Sequence, residues 1–137
     1  MLDLIEERNR DFMKATAAVL RRLRRAGLKR VSLKQLSEIA AAEEAPRYYV
    51  TEEYAMRVLS VIRRGKNCLP AGRRGAMFRE LNEKVRQMEE SKGLTMRHAL
   101  YFVLEYSKAS SFFISEPTAV RLAQRILSKS KKNTLTH

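Results

Sequence analysis

Arginine and glutamine on the open side of a helix are the residue types in this chain best suited to chemistry with a partner. A guanidinium or a carboxamide can offer two hydrogen-bonding atoms at once to a guanine or adenine edge, and serine or threonine hydroxyls can hold phosphates. Two segments present such a face at helical spacing. In the first the outward positions are Tyr54, Arg57, Ser60 and Arg64; in the second they are Thr118, Arg121, Gln124, Arg125 and Ser128. A further group, Arg21, Arg22, Arg24, Arg25, Lys29 and Arg30, crowds the stretch RRLRRAGLKR at 21–30. The negative C-terminal end of a helix welcomes cations, but six exceed what it requires, so phosphates are the expected counterpart. Arg73 and Arg74 stand among glycines and are expected to touch the backbone or enter a minor groove as a basic arm.

Catalysis has little to draw on. Cys68 lies in a stretch without periodicity, His98 falls on a helix, and His137 is the last residue. None stands in a setting that activates a nucleophile. One cysteine and two histidines do not make an ordinary zinc site. No glycine loop cradles a phosphate, and neither EES nor EEAP argues for a pair of metal-holding carboxylates. The expectation is no enzyme, no metal and no cofactor.

Charge points the same way. The chain has 28 Lys and Arg against 15 Asp and Glu, a net charge of +13 and a pI near 10.4. Such an excess draws polyanions, most commonly nucleic acid. A membrane surface fits less well, since Trp is absent and no helix opposes a wide aromatic face to a purely basic one. The opening MLDLIEERNRDF mixes charge into its apolar residues, unlike a signal peptide, and no apolar run nears the ~18 residues of a spanning helix. A lone cysteine suits a reducing setting, so a cytoplasmic protein is expected.

The elements that must position these residues come from an apparent internal repeat. YYVTEEYAMRVLSVI at 48–62 aligns without a gap on FFISEPTAVRLAQRI at 112–126. Tyr48 and Tyr49 meet Phe112 and Phe113, Val50 meets Ile114, and Thr51 meets Ser115. Glu52, Ala55, Arg57 and Ile62 meet identical residues at Glu116, Ala119, Arg121 and Ile126. This makes Arg57 and Arg121 a matched pair and the first candidates for base contact. The paired aromatics precede a helix cap in both copies, so one member of each pair is expected in the core and the other partly covered.

Helical periodicity, caps and glycine stops give three helices per copy and an all-α fold. In the first copy Ile5, Phe12, Thr16, Val19, Leu20 and Leu23 face inward until Gly27. Ser32 with Gln35 opens a second helix that runs to about Glu43, with Leu33, Leu36, Ile39 and Ala40 inward. Pro46 ends it, and Thr51 caps a third helix built on Ala55, Val58, Leu59 and Ile62 before Gly65. The second copy repeats this with Phe78, Leu81, Val85 and Met88, a stop at Gly93, and caps at Thr95 and Ser115. Pro117 falls in the first turn of the last helix, where it lacks nothing. The expected organisation is a first three-helix unit at 1–66, a Gly/Pro/Arg linker at 67–76, a second unit at 77–131 and a basic, disordered tail at 132–137.

A short tri-helical unit with capped second and third helices and a basic third helix resembles the helix-turn-helix group of DNA-binding domains, to which homeodomain-like modules belong. The resemblance covers about Ser32 to Arg64 and Thr95 to Lys129, with EEAPRYYV a longer connection than the tight turn of that motif. It implies duplex DNA as partner and the third helices as readers. The competing expectation is a helical adaptor or scaffold for an acidic protein partner, or one that assembles with itself. What separates the two is whether the cations gather on one face once the chain has folded.

Overall fold

The computed structural model describes residues 2–65, 69 and 71–135. Among them are six α-helices: α1 (Leu2–Arg25), α2 (Leu33–Ala41), α3 (Glu52–Arg63), α4 (Arg73–Lys92), α5 (Met96–Tyr106) and α6 (Glu116–Leu135). The all-α class expected from periodicity is what the chain adopts. Cys68 and His137 lie outside the described residues.

The helix ends sit where the local chemistry puts them. Ser32 Oγ accepts from the Gln35 amide at 3.0 Å, Thr51 Oγ1 from Tyr54 at 3.2 Å, and Thr95 Oγ1 from His98 at 3.2 Å. Each satisfies an amide that the first turn would otherwise leave unpaired. α1 closes with Gly27 at φ 95°, its amide on Arg24 O and the Leu28 amide on Leu23 O, both bonds of a left-handed glycine stop. Two boundaries differ from expectation. α4 begins at Arg73, so the last residues of the expected linker are helical, with Gly75 buried in that first turn. α6 runs on to Leu135, into the expected tail, because its alternation of polar and apolar residues holds no Gly or Pro after Pro117.

The largest correction concerns which helices pack together. The compact units are Pro46–Ala109 and Leu2–Ala45 together with Ser110–His137, not 1–66 and 77–131. In one unit α1, α2 and α6 each touch the other two; in the other α3, α4 and α5 do the same. Each unit therefore takes its long and short helices from one half of the chain and its third helix from the other half. The chain passes from one unit to the next at Ala45–Pro46 and returns at Ala109–Ser110. Ala45 and Ala109 are both buried.

The residues just after each passage explain the assignment. Phe112 is buried edge-on against Phe12 of α1, centroids 5.4 Å apart, and its amide donates to Ala41 O at the end of α2. Tyr48 is buried beside α4, where its hydroxyl donates to Glu80 Oε2 at 2.6 Å and Lys84 Nζ lies 5.1 Å from its ring centre. Burial first, then the bond to Glu80 and its charge, push the Tyr48 hydroxyl well above the ordinary tyrosine range, so it stays a donor. The aromatic pairs are thus divided as expected, with Tyr49 and Phe113 only half covered. Phe113 has φ 49°, a conformation that side chains rarely adopt and that turns the chain sharply into α6.

Within the cores, buried polar groups are bonded: Thr16 Oγ1 donates to Phe12 O at 2.8 Å and Ser37 Oγ to Lys34 O at 3.0 Å. Ser37, not Ile39, completes the inward stripe of α2 with Leu36 and Ala40. Ile39 and Ile5, both expected inward, are exposed.

Because each unit is completed by the other half of the chain, the fragments 1–66 and 67–137 should each lack a cooperative thermal transition by circular dichroism. Mixing them in equal amounts should restore the helix signal and the melt of the intact chain. A cooperative melt of fragment 1–66 alone would contradict the exchange of third helices.

Candidate nucleic-acid interface

In the Pro46–Ala109 unit two expected site residues meet on one ring. Arg57 of α3 and Arg74 of α4 place their guanidinium carbons 5.8 and 5.1 Å from the centre of the Tyr54 ring, and Arg74 is also 5.7 Å from Phe78. Tyr54 was expected to face outward. It is half buried instead, 5.8 Å from Phe78, because α3 lays this side against α4. Both guanidinium groups stay exposed, each held by an aromatic face instead of neutralised by a carboxylate. Arg73 and Arg74 form the first turn of α4 instead of a loose arm, behind Gly72 at φ 74°, which offers no side-chain cap. Arg64 is exposed, and its Nε donates to Ser60 O at 3.2 Å, satisfying a carbonyl at the end of its own helix.

The neighbouring Arg63 has a structural task. Its Nη1 donates to Glu89 Oε2 at 3.0 Å, Nη2 lies 2.6 Å from Oε1, and Nε donates to Asn82 at 3.3 Å, which ties the end of α3 to α4. These groups line an open cleft of about 470 Å³ with Ile62, Gly65, Arg86 and Glu90. Two carboxylates oppose two guanidiniums there, so the cleft holds no surplus of charge to offer a polyanion.

In the other unit α1 and α6 run parallel, since Phe12 at the middle of α1 meets Phe112 just ahead of α6, and Arg24 at the end of α1 donates from Nη1 to Ser130 Oγ further along α6. That contact brings two basic helix ends together. Arg21, Arg22, Arg24 and Arg25 near the end of α1 and Lys129 and Lys131 near the end of α6 are all exposed. Arg22 pairs with Glu43. Two helix C-termini carry roughly half a negative charge each, so these cations far exceed local need. Arg121 and Arg125 continue the α6 row at i, i+4 spacing into Lys129, and Gln124 lies exposed beside them, its Nε2 donating to Ser128 Oγ at 3.1 Å. Lys29 and Arg30 follow, exposed, just past α1. Lys129 and Lys131 were not singled out from sequence; the i, i+4 row Arg121–Arg125 leads to Lys129, while Lys131 lies off that row.

Arg57 and Arg74 thus share one ring in one unit, while in the other Arg24 of the 21–30 group reaches Ser130 of α6. Among the described residues no group of three or more His, Cys, Asp or Glu is placed to hold a metal ion, and no helix is long and apolar enough to cross a membrane. No family model, curated protein or solved structure matches the chain.

The Arg63–Glu89 pair has both side chains mostly covered, at 26% and 23% exposure, so it should contribute more than a surface ion pair. Arg63→Ala should lower stability by about 1–3 kcal/mol in urea unfolding, and the double change with Glu89→Ala should cost less than the two single losses added together. Strict additivity would show that the pair is not coupled.

Proposed function

We propose that this chain is a non-enzymatic nucleic-acid-binding protein whose preferred partner is duplex DNA, held by the phosphates. The observation that carries this reading is the contact of Arg24 with Ser130, which joins the end of α1 that bears exposed Arg21 and Arg25 to the part of α6 that bears exposed Lys129 and Lys131, with Arg121 and Arg125 earlier on the same helix. Cations that serve a fold are usually matched by carboxylates, whereas here Glu43 answers Arg22, Arg24 bonds a serine hydroxyl, and Arg21, Arg25, Lys129 and Lys131 are exposed. Rows of long basic side chains on rigid helices suit a phosphate backbone, and neutralising it releases condensed counterions. Arg57 and Arg74 form a second anchoring point of the same kind, pre-oriented by the Tyr54 ring.

The charge of the two units supports binding through both. Counted over the exchanged units, Pro46–Ala109 has 13 basic and 7 acidic residues, and the other unit 15 and 8. The sequence halves 1–66 and 67–137 hold 15 to 9 and 13 to 6, so the charge is shared evenly with or without the exchange of third helices. The tri-helical resemblance enters in altered form. Each unit still combines three helices, but the basic third helix rests on a long and a short helix from the other half of the chain. Phosphate contact, rather than groove reading by a helix-turn-helix, is therefore the part of the resemblance retained here.

Anisotropy of a fluorescein-labelled random-sequence duplex should show binding that weakens steeply with salt, by about 0.9 in log K per log unit of salt for each phosphate neutralised. Arg25→Gln with Lys129→Gln should flatten that slope by about 2 without changing the melting temperature much. An absence of binding at low salt would sink the proposal, as would a slope that the double substitution leaves alone.

A further inference from the structure

We propose that the outer face of α5 is a stacking platform for unpaired nucleic-acid bases, an inference that rests on the nucleic-acid reading above and adds a single-stranded ligand to it. α5 is fixed from behind by Ala99, Leu100, Val103 and Leu104, buried where it meets α3 and α4. On its other side Tyr101 and Phe102 are 45% and 42% exposed and Tyr106 is 75% exposed. The three rings form one group: Tyr101 and Phe102 meet edge to face at 5.9 Å, and Phe102 and Tyr106 lie 5.8 Å apart, tilted by only 32°. They stand in two rows of i, i+4 spacing, His98–Phe102–Tyr106 and Arg97–Tyr101–Glu105.

The fold does not ask for rings at these positions. α2 plays the part of α5 in the other unit, and its buried Leu36, Ser37 and Ala40 match Ala99, Leu100 and Val103 in order. The positions that correspond to Tyr101, Phe102 and Tyr106 are Glu38 and Ile39 of α2 and Glu43 just past it, two of them carboxylates. An exposed aromatic group present in one unit and replaced by acids in its counterpart serves something outside the core.

Chemistry and charge select the occupant. The face is aromatic, not aliphatic, and every base has a π-surface that such rings accept whatever its sequence. Arg97 and His98 lie exposed along one edge and Lys108 just past the helix, so phosphates have cations at the rim. Glu105 within the face turns phosphates away from the rings and leaves those to bases. A second copy of this chain is a poorer occupant, because two chains of net charge +13 repel.

The test uses the full chain with two fluorescein-labelled probes, an oligo-dT strand and a blunt duplex. Phe102→Ala with Tyr106→Ala should weaken oligo-dT binding by about 10- to 100-fold and change duplex affinity by less than about twofold. Tyr106→Trp, which keeps the ring, should retain oligo-dT affinity, and its fluorescence, unique in a chain without Trp, should be quenched by the strand. The platform is overturned if the alanine pair binds oligo-dT like the parent, if both probes lose equally, or if Tyr106→Trp gives no quenching. It is also overturned if the chain forms dimers that tighten with salt and that the alanine pair dissolves. Parent protein that binds duplex but not oligo-dT refutes the platform alone; protein that binds neither refutes the nucleic-acid reading with it.

Discussion

The burial of one aromatic ring after each passage between the units is the constraint on which the rest of the structure depends. Phe112 can leave water only by lying on Phe12, and Tyr48 only by lying beside α4 with Glu80 accepting from its hydroxyl. Truncating a buried aromatic typically costs about 3–5 kcal/mol, a large part of the stability of a domain this size. The hydroxyl of Tyr48 adds a condition, since a buried donor without a partner costs about as much as a lost bond. Once those two rings are seated, α3 and α6 have no choice of neighbour.

What the chain presents to a partner follows from that exchange. Arg74 meets Arg57 on the Tyr54 ring because α3 rests on α4. Arg24 of the 21–30 group reaches Ser130 because α6 rests on α1. Each exchanged unit carries basic residues on a rigid helical base.

Local features of this fold were legible in the sequence because they are set by neighbours a few residues away. The Ser32, Thr51 and Thr95 caps, the Gly27 and Gly93 stops and the division of the aromatic pairs all belong to that class. The partner of each third helix was not legible. The inward stripes of α3 and α6 are nearly the same, Ala55 and Leu59 against Ala119, Leu122 and Ala123. Periodicity says which side is buried without saying against what. Tyr54 was misplaced for the same reason: whether a tyrosine at the edge of a stripe is covered depends on the neighbour, here Phe78. Arg73 and Arg74 were read as linker because glycines flank them, yet Gly75 is buried in the first turn of α4. The rings of α5 passed unnoticed because LYFVLEY is apolar nearly all round, and only comparison with α2 separates its core side from its outer side.

Nuclear Overhauser contacts between aromatic side chains test the exchange most directly. Magnetisation on the Phe12 ring should reach the Phe112 ring, 5.4 Å away centre to centre, while the Tyr48 ring should report to the side chain of Lys84. A contact from Phe12 to Tyr48, with none to Phe112, would return each third helix to its own half of the chain and contradict the account.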